Sequence, residues 1–150
     1  MKLSNKGRYG VQAVFDMAFH TQGEASQIKD IAARQAIPSR FLEQICQDLK
    51  RAGLVTSKRG PRGGYRLARP ASAISVGDVV RAVEGPLALV AESPKARSSG
   101  SSSQVIIHAF RELSERIENC FNAVTMEQLA QNAEQLGIRR ASERRLNYVI

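Results

Sequence analysis

Two clusters of side chains in this 150-residue chain have the types and spacing needed to hold a polyanion. The first is Lys58-Arg59-Gly60-Pro61-Arg62-Gly63-Gly64-Tyr65, a basic loop whose glycines let the backbone approach a groove and whose proline limits its entropy. Arg59 at its tip suits a narrow, electronegative minor groove. A glycine-rich loop can instead cradle a nucleotide phosphate, but that needs a following Lys-Ser/Thr and a helix N-terminus, and this loop leads into strand formers. The second cluster is Ser39, Arg40, Glu43, Gln44 and Gln47, which share one face at helical spacing. Glutamine pairs bidentately with adenine, glutamate accepts from the cytosine amino group, and arginine binds guanine or phosphate. The plainer alternative is an ordinary solvated helix face.

Catalysis has no comparable footing. His20 and His108 are the only histidines, and no Cys, His and Asp residues fall at metal-ligand or nucleophile-base spacing. Cys46 and Cys120, far apart on segments of helical period, are expected to be free thiols.

The elements that must position the two clusters follow from periodicity. Val11, Val14, Phe15, Ala18 and Phe19 recur on one face and predict a first helix over 3–19, ended by Gly23. Ser26 is the expected N-cap of a short second helix over 27–35, carrying Ile28, Ile31 and Ala32. After the break Ala36-Ile37-Pro38, a third helix over 38–52 is expected to bury Phe41, Leu42, Ile45, Cys46 and Leu49 and to stop at Gly53. The period then changes: Leu54-Val55-Thr56 and Tyr65-Arg66-Leu67 predict two strands joined by the basic loop, a hairpin wing. Ser75 and Asp78 form a capping-box variant for a fourth helix that stops at Gly85-Pro86. Residues 92–104 are small, polar and of low complexity, and predict a mobile loop. Beyond it Ile106, Phe110, Leu113, Ile117, Cys120 and Val124 are spaced 4, 3, 4, 3 and 4, a heptad stripe suited to a dimer seam. Thr125 and Gln128 cap a last short helix, and a basic tail that frays is expected from Arg139.

Three helices and a basic hairpin make a winged helix-turn-helix, whose third helix enters the major groove. The expected fold class is therefore mainly α with a small β-hairpin wing, plus a long dimerisation helix. The expected organisation is a DNA-binding domain over 1–85, a flexible loop over 86–104, a dimerisation helix and short terminal helix over 105–136, and a basic tail over 137–150. Charge agrees: residues 1–70 hold 13 Lys/Arg against 5 Asp/Glu, residues 71–138 hold 5 against 8, and the tail has four arginines against Glu143. Scattered solubilising lysines would not segregate in this way, so double-stranded DNA is the expected partner. With no apolar run of ~18 residues and no signal-type N-terminus, the chain reads as cytoplasmic with no membrane partner.

Lys6-Gly7-Arg8-Tyr9, Ile31-Ala32, Phe41-Leu42-Glu43-Gln44, Leu49, Gly53-Leu54-Val55, Arg59-Gly60-Pro61-Arg62-Gly63-Gly64-Tyr65, Ile74 to Val79 and Leu113 to Leu129 together resemble the Rrf2 (IscR/NsrR/CymR-type) family of bacterial regulators, to about residue 136. The resemblance implies a homodimer formed through the long helix, with Arg40, Glu43 and Gln44 facing bases and Arg59 in the minor groove. It also implies that Lys6, Arg8 and Tyr9 lie against the DNA backbone.

Many members of that family hold an iron-sulfur cluster through three cysteines before the long helix, sometimes with a histidine at its start. The corresponding positions here fall near Ser93, Ser99 and Val105, with His108 at the histidine position, and no cysteine lies between Cys46 and Cys120. A serine hydroxyl stays protonated and replaces a thiolate poorly, so no cofactor is expected. The chain reads as a repressor on a palindromic operator that takes its signal from a small-molecule effector or a metabolic-enzyme partner. The alternatives are a protein-interaction module, or a redox or iron-sulfur sensor whose cluster cysteines are replaced by serine here.

Overall fold

The computed structural model describes residues 2–90 and 102–142. In chain order its elements are α1 (Asn5–Phe19), α2 (Ile28–Gln35), α3 (Ser39–Arg51), β1 (Val55–Lys58), β2 (Gly64–Leu67), a 3₁₀ turn (Ala71–Ala73), α4 (Val76–Glu84), α5 (Ser102–Asn122) and α6 (Met126–Gln135). This is the winged helix-turn-helix arrangement predicted above, followed by a long helix.

Helix ends are set locally. Ser4 accepts from the Gly7 N–H to cap α1, and Ser75 with Asp78 and Thr125 with Gln128 form reciprocal capping boxes at the starts of α4 and α6. Ala36 turns the chain between α2 and α3 in the left-handed region, with φ 52°. Gly53 does the same after α3. Ser26 is not the cap of α2, as its spacing suggested: Gln27 holds that position without a side-chain bond. Ser26 is instead drawn into a bridge with the wing, exchanging both backbone bonds with Tyr65 at 2.8 and 2.9 Å.

β1 and β2 pair antiparallel, with Val55 opposite Leu67 and Lys58 opposite Gly64. The wing therefore rests on the chain just before α2 through the Ser26–Tyr65 bridge. A Cβ at Gly64, whose φ is 138°, would run into the Ser26 carbonyl, and one at Gly63 would strike the Lys58 carbonyl. Gly63, which is buried, serves close packing within the wing, and Gly64 serves the approach of the wing to the chain before α2. The exposed Gly60, with φ 106° and open space around it, is the glycine that shapes the tip.

Val14, Met17, Ile31, Leu42, Ile45, Leu49, Val55, Ile74 and Val79 form the core. The core does not close at residue 85, because α6 returns to it. Met126 is fully buried among these side chains, and Val76 and Met126 donate to the carbonyls of Val124 and Ile74 at 2.8 and 2.9 Å. The last helix therefore belongs to the packing of the first domain.

α5 buries none of its residues within this chain. It starts at Ser102, inside the stretch expected to be loop through 104, and ends at Asn122. Val124 thus lies beyond the helix and leaves the stripe, its carbonyl bonded to α4. Ile106, Phe110 and Leu113 are 56%, 40% and 45% exposed, while Ile117 is partly covered. Arg81 joins α5 to α4, donating to Glu118 and Asn122 at 2.8 Å and to Asp78 at 2.9 Å. Most of the Ser-rich stretch, with Ser93 and Ser99, lies outside the described residues.

Candidate nucleic-acid interface

Ser39, Arg40, Glu43, Gln44 and Gln47 are all exposed on α3, opposite the buried Leu42, Ile45, Cys46 and Leu49. The amphipathic split is what a helix packed on a core by one side and facing a groove by the other requires. One prediction fails: Phe41 is 50% exposed rather than buried, with the Arg40 guanidinium 5.6 Å from its ring centroid. It sits on the first turn of α3, between the exposed Arg40 and the buried Leu42.

Asp48 organises this side of α3. Lys6 on α1 lies 2.7 Å from its Oδ2, Arg51 lies 3.3 Å from Oδ1, and Gln44 donates to Oδ1 at 3.3 Å. The Lys6 ammonium, then the other donors and Arg51, hold the Asp48 carboxyl below the usual carboxylate range against the effect of burial. Lys6 and Gln44, both predicted DNA contacts, are therefore tied to Asp48 in the free protein. Lys6 remains 42% exposed at its side chain. Arg8 is exposed, its guanidinium 5.4 Å from the ring centroid of the half-buried Tyr9.

On the wing Lys58, Arg59, Gly60 and Arg62 are exposed and Tyr65 is half-buried. Burial raises the Tyr65 hydroxyl above its ordinary value. Three contacts that sequence reasoning missed position this hairpin. Gln27 donates to the Pro61 carbonyl at 3.3 Å, Lys50 to Ser57 Oγ at 2.8 Å, and Arg34 to Ser26 Oγ at 2.8 Å. Arg34 also holds the fully buried Asp16 through both oxygens. Hydrogen bonding to Asp16 raises the Arg34 guanidinium's pKa further. Nothing in local sequence signals these links, because each partner lies on another element. The outward Arg66 was the one legible addition, since it alternates with Tyr65 and Leu67 along β2.

A cleft of about 580 Å³ opens between the α1–α2 turn and the wing, with Glu24, Asp30, Arg34, Arg62 and Ser142 among its walls. The start of the basic tail is docked beside it rather than frayed. Arg140 stacks 5.1 Å from the Phe19 centroid and pairs with Glu134, and the Ala141 N–H donates to His20 Nδ1 at 3.1 Å. Residues 143–150 lie outside the description.

Of the expected cluster positions, Ser93 and Ser99 lie outside the described residues, and Val105 and His108 are on α5. Val105 is 69% exposed and carries no donor, and the exposed His108 stands alone of its type on α5. Cys46 is sealed in the core, its thiol pushed up to about 12 by burial, and Cys120 is exposed on α5. Among the described residues no group of three His, Cys, Asp or Glu converges as a metal site, and no helix is long and apolar enough to cross a membrane.

Known proteins share this arrangement. A regulator named IscR from Vibrio atlanticus is 41% identical over 138 residues, 92% of this chain and 80% of that protein. IscR from Yersinia pseudotuberculosis is 39% identical over 92% of this chain and 84% of its own length. The solved structure of IscR from T. potens superposes with a TM-score of 0.71 at 35% identity, covering 93% of both chains. CymR of B. subtilis, described as the global cysteine regulator of that organism, gives 0.71 at 31% identity over 88% of this chain and 98% of its own. Residues 3–132 match the family described as Rrf2, iron-dependent transcriptional regulator. With that match spanning α3, the hairpin and α5 together, the chain belongs to the Rrf2 family of transcriptional regulators.

Proposed function

We propose that this chain is a sequence-specific repressor that binds double-stranded DNA as a homodimer on a palindromic operator, without an iron-sulfur cluster. The observation that carries the reading is the pairing of Ser26 with Tyr65, which fixes the basic wing to the chain entering α2 and so to the helix-turn-helix. α3 then offers Arg40, Glu43, Gln44 and Gln47 to base edges, and Arg59 and Arg62 reach for the flanking groove and phosphates.

Dimerisation is supported by the α5 stripe. Ile106, Phe110 and Leu113 leave a continuous apolar strip that a second α5 would cover. Two-fold symmetry then calls for half-sites about one or two helical turns apart. The cluster-free reading rests on donor chemistry: thiolates hold cluster iron, and the only two cysteines are Cys46, inside the core, and Cys120. The signal would then come from a small molecule or a partner protein, and the cleft against Arg62 is where a small molecule would bear on the wing. Binding to duplexes enriched from a random pool tests the whole reading. Saturable, salt-sensitive binding to a palindrome supports it, and sequence-blind binding overturns it.

A further inference from the structure

Every large apolar side chain exposed in the described part of this protein lies at Leu89 or later, with one exception. That exception is Phe41, on the first turn of α3, 50% exposed in the middle of the most basic half of the chain. A core residue displaced to the surface would be expected at a seam between elements. Phe41 is instead flanked by Arg40, whose guanidinium stacks on its ring, and by Gln44 one turn on. Its site is the N-terminal turn of the helix that reads the groove, where side chains meet base edges.

We infer that Phe41 is a specificity-determining residue that packs its ring on the C5 methyl of one thymine in each half-site. This rests on the proposed DNA-binding function. The surrounding cationic and polar side chains exclude an apolar protein partner for so small a patch, and match a polyanion. In a major groove the only apolar group offered at a base edge is the thymine methyl, and it lies toward the groove's margin, which is where a residue on the flank of α3 arrives. Arg40, held over the ring, is thereby directed at the neighbouring guanine or phosphate. Gln44 would read the adjoining base pair, so the two residues divide the first turns of α3 between a methyl and a hydrogen-bonding edge.

Replacing single thymines by deoxyuridine deletes only the methyl and tests the inference directly. Duplexes enriched from a random pool by the full chain are scanned one thymine at a time, with the wild type and with Phe41→Ala. One thymine per half-site should show roughly fourfold weaker wild-type binding as uracil, the worth of one buried methyl group. Phe41→Ala should bind less tightly and be indifferent to that exchange, while its preference at the Gln44-dependent position persists. Phe41→Leu, which keeps an apolar group, should retain part of the sensitivity and guards against misfolding of the alanine variant. If no thymine matters to the wild type, or the loss is the same in Phe41→Ala, the ring lies against the sugar-phosphate backbone and the inference is overturned. If no duplex is enriched at all, the proposed function falls first and this inference with it.

Discussion

Arg34 of α2 closes on Asp16 of α1 through two parallel bonds of 2.7 and 2.9 Å, and the same guanidinium reaches Ser26 Oγ at 2.8 Å. Asp16 is fully buried, with Gln35 as its other side-chain donor at 3.0 Å. One arginine thus joins the first helix, the second helix and the bridge residue Ser26 on which the wing rests.

Arg34→Met should leave that carboxylate buried with a single side-chain donor. Removing one partner of a buried pair costs about 3–5 kcal/mol. Urea unfolding should show this as a lower midpoint with unchanged slope. Asp16→Leu combined with Arg34→Leu should recover much of the loss, and a double variant as unstable as Arg34→Met would show that the pair's geometry, rather than its charge, is what matters.

Asp48 makes stability depend on acid. Its folded-state value is lowered, so its contribution is complete above the unfolded value of about 3.9 and is lost as pH falls through the folded one. Asp78, lowered by Ser75 and Arg81 against the opposing effect of burial, acts in the same window. Lys6→Met should flatten the acid side of the stability curve by less than about 1 kcal/mol, since Lys6 is partly exposed. Unfolding curves collected from pH 6 down to about 2.5 check this.

Binding to DNA should weaken steeply with salt, with a log-log slope of roughly −5 to −9 for a dimer at ~0.9 per phosphate contact. Arg59→Ala should cost about 1–3 kcal/mol and relax the preference for A/T-rich flanks, and Gln44→Ala should relax one base position per half-site. Fluorescence anisotropy across a salt series measures both. Equal weakening on all sequences by Gln44→Ala would mean that this residue only positions α3.

Ile117→Asp should give monomers with little specific binding, because a carboxylate in the α5 seam would be buried without a partner. Sedimentation velocity reads the change in mass. Cys120 shares the stripe, so an aromatic disulfide reagent should label it faster in the monomeric variant than in the dimer, while the core thiol of Cys46 stays silent until denaturant is added. A fully active Ile117→Asp dimer would put the interface elsewhere.

Anaerobic incubation with iron and sulfide should yield colourless protein with unchanged operator affinity. A stoichiometric visible chromophore that alters binding would overturn the cluster-free proposal, and Cys120→Ser would then show whether that thiol takes part.

The sequence by itself determined the helices, their capping boxes at Ser75 and Thr125, the hairpin, the split of α3 into an apolar and a polar face, and the concentration of charge in the first half. These depend on periods of two and 3.6 residues and on neighbours three or four positions apart, so a linear reading captures them. Tertiary structure decided the rest. It took Ser26 from a helix cap to a bridge with the wing, turned Phe41 outward, ended the α5 stripe before Val124, brought α6 back to α1 and tied Lys6 to Asp48. Apart from Phe41, whose ring meets its neighbour Arg40, each of these depends on a partner far away in the chain, and a side chain that satisfies a local rule goes instead to the distant contact that buries more surface or completes a hydrogen bond.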